Sequence, residues 1–134
     1  MRFPLKRWLP CIAAGLLTMV LFRTVLLIGV VPSSSMEPLI PEGSFILADR
    51  TAYWRESPVV GDVIVFRRSG RLLVKRVAAV GGQLVFHAGE HITVPNGYLY
   101  VLGDNQTISV DSADWDEPFV PAWAVIGELI AHNS

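Results

Sequence analysis

The sequence predicts a mostly β domain that is preceded by one N-terminal transmembrane helix. The chain has 134 residues, of which 51% are hydrophobic, and it carries one long apolar run near its start. Beyond Val31 the apolar residues form short runs rich in Val, Ile, Leu, Phe and Tyr, which Gly and Pro interrupt. No segment beyond Val31 has a sustained helical period. A chain of this length has room for one compact domain besides the helix.

The apolar run from Leu9 to Val31 predicts a membrane anchor. Its only charged residue is Arg23, and as a helix it would span about 35 Å, enough for a hydrocarbon core of roughly 30 Å. Because a charge is costly at the bilayer centre, we expect the helix to end near Phe22 and the segment "TVLLIGVV" to form an interfacial strand. The single cysteine, Cys11, lies in the run and cannot form an intrachain disulfide.

The charges beside this run predict the orientation of the chain. Three basic residues precede it, namely Arg2, Lys6 and Arg7, and the first acidic residue is Glu37. The positive-inside rule therefore predicts a single-pass protein of the plasma membrane with a cytoplasmic N-terminus. A cleaved signal peptide usually has a shorter apolar region, so we expect an uncleaved anchor. Residues 1–31 would form the basic start, the anchor and the interfacial segment, and residues 32–134 an extracytoplasmic β-rich domain.

The strands of this domain are predicted from six apolar runs. They cover residues 44–49, 62–67, 72–80, 83–86, 98–103 and 124–131. Gly70 in "RRSGR" occupies a hairpin position, and "HAGEH" resembles the tip of a second hairpin, which would extend from Gln83 to Val94. The sequence "PNG" at residues 95–97 is a strong turn signal.

Composition and missing motifs exclude several functional classes. The net charge is −1 and no basic tract follows the first turns of the chain, which argues against nucleic acid as a partner. The chain has no HExxH, CxxC, P-loop or GxSxG motif, so we predict neither a metal site nor a cofactor. His87 and His91 flank a predicted hairpin tip, where surface histidines are commoner than metal ligands. The spacing of the histidines leaves a Ser-His-Asp triad open.

Three consecutive serines, Ser33, Ser34 and Ser35, follow the apolar run and precede Met36. They are either part of a solvated linker or they include a nucleophile. A nucleophilic serine needs a group that removes its proton, and a neutral lysine can do so. The pKa of that lysine must fall from about 10.4, and burial among apolar groups is the main way to lower it.

Lys75 is the candidate for this role. The chain has one other lysine, Lys6, which precedes the membrane span. Strand alternation puts Lys75 on the same face as Leu73, Val77 and Ala79, and a lysine on an apolar face costs stability unless it is paired. It is therefore a functional candidate. The alternative is a lysine on an edge strand, whose amine reaches water along its flexible stem.

Four segments in order resemble the sequence boxes of the type I signal peptidases, the membrane-bound Ser-Lys proteases that remove signal peptides. They are "PSSSMEPLIPEG", "GDVIVF", "VKRVAAVGG" and "GDNQTISVDS". The resemblance extends from about Arg23 to the C-terminus. It implies a coiled antiparallel β-sheet catalytic domain that rests on the lipid bilayer. It also implies that the substrates are signal peptides of exported preproteins, cut after small residues of the Ala-x-Ala type.

The resemblance also implies a role for each matching residue. Ser35 matches the nucleophile and Lys75 the general base. The Ser33 side chain would join the backbone N–H of Ser35 in the oxyanion hole. Ser109 matches a serine that hydrogen-bonds the lysine amine, and Gly103 matches a tight turn that brings the last box against the site. Three further residues would support the site: Met36, Asp104 and Asp111.

The last box departs from the family pattern. Gln106 and Ala113 replace two arginines, so Asp111 loses its most obvious cationic partner, and we expect Arg76 to take that place. In the third box, three residues stand where the family has Gly, Pro and Asp: Ala79, Gly81 and Gln83. The departures leave room for a peptidase dedicated to one client, such as a pilin-processing or enzyme-maturation protease. A catalytically silent membrane-anchored binding domain is a further alternative.

Three tryptophans allow two interpretations. They are Trp54, Trp115 and Trp123. Tryptophan prefers the headgroup level of a bilayer, so these residues could form an interfacial surface. They could equally pack within the domain.

Overall fold

The computed structural model describes residues 5–133 and consists of one helix followed by β-strands. Helix α1 spans Leu5–Val25. The strands are β1 (Leu26–Val30), β2 (Phe45–Asp49), β3 (Val63–Arg68), β4 (Arg71–Val80), β5 (Leu84–His87), β6 (Glu90–Thr93), β7 (Tyr98–Leu102), β8 (Phe119–Pro121) and β9 (Val125–His132). Two short 3-10 helices cover Ser34–Met36 and Ala122–Ala124.

Seven of these strands form one curled sheet in the order β1-β2-β9-β3-β4-β7-β8. Every neighbouring pair is antiparallel. The remaining two, β5 and β6, form a separate hairpin. The predicted fold class is therefore confirmed: a mostly β antiparallel sheet follows one apolar helix. This agreement arises because short β-branched runs between turn residues favour strands over helices.

The residues Arg7–Val25 of α1 are long and apolar enough to cross a membrane, and none of them is buried against the domain. Cys11 lies on this segment as an exposed free thiol. Of the basic residues that predicted the orientation, Arg2 lies outside the described residues. Arg7 lies at the start of the apolar segment.

The predicted end of the helix is wrong, because α1 continues past Phe22 to Val25. The Thr24 hydroxyl donates a 2.8 Å hydrogen bond to the carbonyl of Leu21 in the last turn. Arg50 donates from Nη1 to the carbonyl oxygen of Arg23 at 3.2 Å and so satisfies one of the free carbonyls at this end. The charge of Arg23 also complements the helix dipole there.

The segment predicted as an interfacial strand is confirmed as a strand over Leu26–Val30. It pairs with β2 from Leu26 opposite Asp49 to Val30 opposite Phe45, and it forms one edge of the large sheet. The sheet thus begins before residue 31, and the predicted division of the chain there stays a prediction.

The other strand predictions are confirmed to within one or two residues. The hairpin between β3 and β4 turns through Ser69 and Gly70, both with positive φ (48° and 76°), as a two-residue hairpin turn requires. Ala88 and Gly89 form the same kind of turn between β5 and β6. The sequence did not indicate β8, because three residues are too few for an alternating pattern to be recognised.

The core lies on both faces of β3, whose first four residues are all buried. Val63 and Val65 pack into one cluster of buried residues, and Ile64 and Phe66 pack into another. Each fully buried side chain of this kind contributes roughly 1.5–3 kcal/mol. The first cluster also contains Met36, so the core fixes the chain directly beside the three serines.

Candidate active site

The three serines lie on a short turn that the core fixes on both sides. Val31 before the turn is 3% exposed, and Met36 at its end is fully buried. Ser34 to Met36 form the 3-10 helix, and the hydroxyl oxygens of Ser33 and Ser35 are 3.3 Å apart. The turn therefore holds two hydroxyls side by side on a rigid support, which contradicts a solvated linker.

Lys75 lies in the middle of the sheet. Its strand, β4, lies between β3 and β7, and Lys75 is paired with Ile64. The residue is 3% exposed, and Val77 on the same face is buried as well. The expectation that Ala79 shares this face is wrong, because a bulge between Val77 and Ala79 shifts the register, and Ala79 pairs with Tyr100 and packs into a separate cluster. The alternative of an edge-strand lysine that reaches water is therefore wrong.

Burial lowers the pKa of Lys75 below the ordinary value for lysine, because the ammonium form loses its hydration. The negative charges of Asp111 and Asp114 oppose this shift, and desolvation is the larger effect. A neutral amine has a lone pair, which the ammonium form lacks. The environment of Lys75 thus favours the form that can accept a proton.

Ser109 orients the amine. Lys75 Nζ donates to Ser109 Oγ at 2.8 Å, and the Ser109 hydroxyl donates to Oδ2 of Asp111 at 2.6 Å. A carboxylate accepts hydrogen bonds, so the Ser109 hydroxyl donates its proton to the hydrogen bond with Asp111. Ser109 must then accept an N–H from the amine. This arrangement leaves the lone pair of a neutral Lys75 free to point elsewhere.

The serine turn and Lys75 line the same cleft, which has a volume of about 470 Å³. Apolar side chains, including Ile46 and Val65, form much of its wall. Among the hydrogen bonds of residues 5–133, none joins Ser35 to Lys75. The cleft nevertheless brings a hydroxyl pair and a buried amine together in one apolar space.

The loop after β7 packs closely against the serine turn at Gly103. A Cβ at this position would lie 2.6 Å from the backbone oxygen of Ser35 and would overlap the side chain of Ser109. The Gly103 N–H donates to Asp111 at 2.7 Å. The glycine therefore permits a close backbone approach, and its predicted position against the site agrees with the structure.

Asn105 joins the same loop to the serine turn and was not singled out from the sequence. Its backbone N–H donates to the carbonyl of Ser35 at 3.0 Å, and its side-chain amide donates to the carbonyl of Ser34 at 3.2 Å. The only signal in the sequence is its place in the box "GDNQTISVDS", beside Gly103 and Asp104.

The expectation that Arg76 pairs with Asp111 is wrong. Arg76 forms two hydrogen bonds with Asp104, at 2.8 and 2.7 Å, and a third with the carbonyl of Gly61. Neighbouring strand residues point to opposite faces, so Arg76 lies across the sheet from Lys75. Asp111 instead accepts hydrogen bonds from Ser109 and from backbone N–H groups, including that of Ala113 at 3.2 Å. These hydrogen-bond donors satisfy the Asp111 carboxylate in place of a cationic side chain.

The histidines lie apart from this cleft. His87 and His91 belong to the hairpin of β5 and β6, His132 ends β9, and none of the three lines the cleft. The Ser-His-Asp alternative therefore has no geometric support. Within residues 5–133, no group of three or more His, Cys, Asp or Glu side chains could hold a metal ion.

The family of the chain follows from a comparison with family models. Residues 5–94 match the model described as signal peptidase, peptidase S26. The chain belongs to this family. The matched range includes both Ser35 and Lys75 and ends before the last box. Peptidase S26 is a family of serine peptidases, so the serine turn is in the context in which such a nucleophile is expected.

Several proteins that resemble this S26 chain are described as signal peptidases or processing peptidases. A probable signal peptidase I-1 of Synechocystis sp. is 29% identical over 133 residues, which are 75% of this chain and 67% of the relative. Thylakoidal processing peptidase 1 of Arabidopsis thaliana is 27% identical, and the match covers 75% of this chain and 39% of the relative. Signal peptidase I of Pseudomonas fluorescens is 25% identical over 68% of this chain and 56% of the relative. The chain thus matches between about two fifths and two thirds of the length of these relatives.

Proposed function

We propose that this S26 chain is a membrane-anchored serine endopeptidase that removes signal peptides from exported preproteins. It would cut after small residues of the Ala-x-Ala type, with Ser35 as nucleophile and Lys75 as general base. The observation that carries the proposal is the buried Lys75 amine, with a lowered pKa, in the same cleft as the serine pair. The family provides the substrate class.

The reaction would begin with a proton transfer from Ser35 to the neutral Lys75 amine. Ser35 Oγ then attacks the scissile carbonyl carbon, and the negative charge that develops on the carbonyl oxygen needs donors. The Ser33 hydroxyl lies 3.3 Å from Ser35 Oγ and is one donor. The Ser35 N–H is the other, because the first N–H groups of a helix have no partner within it.

The same lysine would complete both halves of the reaction. The Lys75 ammonium returns its proton to the leaving amine as the peptide C–N bond breaks, which leaves an ester between Ser35 and the signal peptide. Lys75, neutral again, takes a proton from water, whose oxygen attacks the ester. The signal peptide is released with a free carboxyl group, and the proton returns from Lys75 to Ser35. Ser109 and Asp111 would act as positioning residues, since they reach the reaction only through the amine.

The bilayer would be the second partner, with the N-terminus in the cytoplasm and the domain on the extracytoplasmic side of the plasma membrane. Trp54 and Trp123 are 71% and 86% exposed, and both line a recess with Thr24 from the last turn of α1. Their position at the end of an apolar helix supports an interfacial role. Trp115 differs, because it packs against Phe66 in the core.

The proposal predicts the pH dependence of cleavage. Below its lowered pKa, Lys75 is an ammonium ion and cannot accept the Ser35 proton; above it, the amine is free. Cleavage by the detergent-solubilised protein should therefore rise with pH through the lowered pKa and then level off. An unshifted lysine would give this rise only near pH 10.5. A rate that falls or stays constant over the same range would contradict the assignment of Lys75.

Asp111→Asn provides the control for this titration. The charge of Asp111 raises the pKa of Lys75 against the effect of burial. Its removal should move the midpoint of the profile to lower pH, whatever happens to the maximal rate. A midpoint that does not move would assign the titration to another group.

Ser33→Ala tests the oxyanion donor. If the Ser33 hydroxyl stabilises the oxyanion, its loss should lower kcat by about 10²- to 10³-fold, which corresponds to about 2.7–4 kcal/mol. Ser34→Ala is the matched control, because the backbone carbonyl of Ser34, and not its hydroxyl, makes the contact with Asn105. Equal rates for the Ser33 variant and the unaltered protein would show that the hydroxyl is not a donor.

A further inference from the structure

The recess at the end of α1 has the dimensions and the lining of a small ligand site. We call it the tryptophan recess, because the exposed side chains of Trp54 and Trp123 line it. Its volume is about 400 Å³. Sites for small ligands typically enclose roughly 300–1,000 Å³ and combine apolar walls with a few polar groups that orient the ligand. The tryptophan recess is therefore large enough for a small ligand.

Arg50 is the only charged residue among the described residues that line the tryptophan recess. Its guanidinium group has five N–H donors. Within residues 5–133, this group makes one hydrogen bond, from Nη1 to the carbonyl oxygen of Arg23 at 3.2 Å. The only ion pair in the same range joins Arg76 to Asp104. Arg50 is thus held at the end of α1, and its positive charge and remaining donors can serve a ligand.

The other polar side chains of the tryptophan recess also offer donors. The hydroxyl of Thr24 donates to a carbonyl of its own helix, and the hydroxyl of Tyr53 donates to Asp62 at 2.8 Å. Both hydroxyl protons are therefore already used. The indole N–H groups of Trp54 and Trp123 donate no hydrogen bond within residues 5–133, and an indole nitrogen can only donate. The free side-chain groups are all donors, which suits an anionic ligand whose oxygens accept hydrogen bonds.

The tryptophan recess lies where the apolar helix meets the domain. Thr24 belongs to the last turn of α1, and Arg50 directly follows Asp49, which pairs with the first residue of β1. With α1 across the bilayer, as proposed above, the recess lies at the level of the headgroups, where tryptophan is enriched. Phosphate is the anionic group that phospholipids present at this level. A lipid phosphate is therefore the anion that the recess would meet.

We propose that the tryptophan recess binds one anionic phospholipid of the leaflet next to the domain. The phosphate would accept hydrogen bonds from the Arg50 guanidinium, whose planar fork matches phosphate oxygens. The rings of Trp54 and Trp123 would contact the glycerol and the first acyl carbons. No described carboxylate lines the recess, so it offers no counter-charge to the amine of a zwitterionic lipid. The inference rests on the proposed membrane attachment and not on the proposed cleavage.

Native mass spectrometry of the full chain tests this inference. The protein is released from nonionic detergent micelles that contain equal amounts of phosphatidylglycerol and phosphatidylcholine with the same acyl chains. The measured quantity is the ratio of the two lipid adducts. The unaltered protein should retain phosphatidylglycerol in preference to phosphatidylcholine. Arg50→Gln should lower this preference by about fivefold, the effect expected of one arginine beside an anionic lipid.

Arg55→Gln is the matched control for the loss of charge. Arg55 is exposed directly after Trp54 and does not line the tryptophan recess, so this change should leave the preference unaltered. Arg50→Lys keeps the charge and should restore part of the preference, because lysine binds phosphate as a point charge. Thermal unfolding shows that each variant is folded. Equal losses in Arg50→Gln and Arg55→Gln would reveal a general attraction to negative lipid and would overturn the inference.

Inorganic phosphate distinguishes a lipid from a free anion as the ligand. Added in excess to the same micelles, it should not displace phosphatidylglycerol, because it lacks the glycerol and acyl carbons that the two indole rings would contact. Displacement by inorganic phosphate, or the same adduct ratio for the unaltered protein and Arg50→Gln, would overturn the inference. The Ser35→Ala protein should show the unaltered preference. Because no step of this assay involves cleavage, a failure of the proposed peptidase would leave its result unchanged.

Discussion

Lys75→Ala should reduce signal-peptide cleavage by about 10⁴- to 10⁶-fold, the range seen when the nucleophile or base of a serine protease is removed. The reason is that Lys75 is the only amine among the described side chains that line the cleft with Ser35, and burial favours its neutral form. The measurement is single-turnover cleavage of an Ala-x-Ala preprotein in detergent.

Lys6→Ala is the matched control, since Lys6 is the only other lysine of the chain and precedes the apolar run. It should leave the rate of cleavage unchanged. Thermal unfolding should show that Lys75→Ala is folded, because removal of a buried ionisable group relieves its desolvation. Retention of more than about a tenth of the activity by the folded Lys75→Ala protein would exclude lysine as the base.

Gly103→Ala should reduce both stability and activity. The added Cβ would lie 2.6 Å from the Ser35 carbonyl oxygen, and it would overlap the side chain of Ser109. Overpacking of this kind typically costs about 1–3 kcal/mol, which would lower Tm by roughly 4–20 °C for a domain of this size. A shift of about 1 Å in a reacting group can cost about 10²-fold in rate. Thermal unfolding and cleavage of the same preprotein measure both effects.

Gly29→Ala is the stability control for this substitution. Its Cβ meets only the side chain of Ile46, at 3.7 Å or more, and no backbone atom, so Tm should stay the same or rise slightly. If Gly103→Ala unfolded at the same temperature as Gly29→Ala, the loop after β7 would not be held tightly against the serine turn, and the close approach at Gly103 would not be important.

Local pattern made most of the fold predictable. The strands of four or more residues in the domain contain β-branched or aromatic residues, which favour strand over helix. Gly70 and Gly89 mark hairpin turns. The end of α1 was not predictable in the same way. It depends on Arg50, which reaches back from the end of β2 to the carbonyl of Arg23, and a contact between residues so far apart leaves no local signal.

The candidate site was predictable where an unusual residue type occurs. A lysine in an apolar strand and three serines beside an apolar helix are unusual for a purely structural role, and both lead to the same cleft. The contacts that the loop after β7 makes with Arg76 and with the serine turn were harder to predict. Arg76 follows Lys75 in sequence yet lies on the opposite face with Asp104, and Asn105 acts through backbone carbonyls, which are present in every residue.

The central claim is that the serine turn provides the nucleophile of a signal peptidase. The most direct test is cleavage of a preprotein with an Ala-x-Ala site by the detergent-solubilised full chain, compared with its Ser35→Ala variant. Ser34→Ala is the control, because it removes the neighbouring hydroxyl from the same turn. We expect cleavage by the unaltered protein and by Ser34→Ala, and none by Ser35→Ala. Cleavage at an undiminished rate by folded Ser35→Ala would contradict the account.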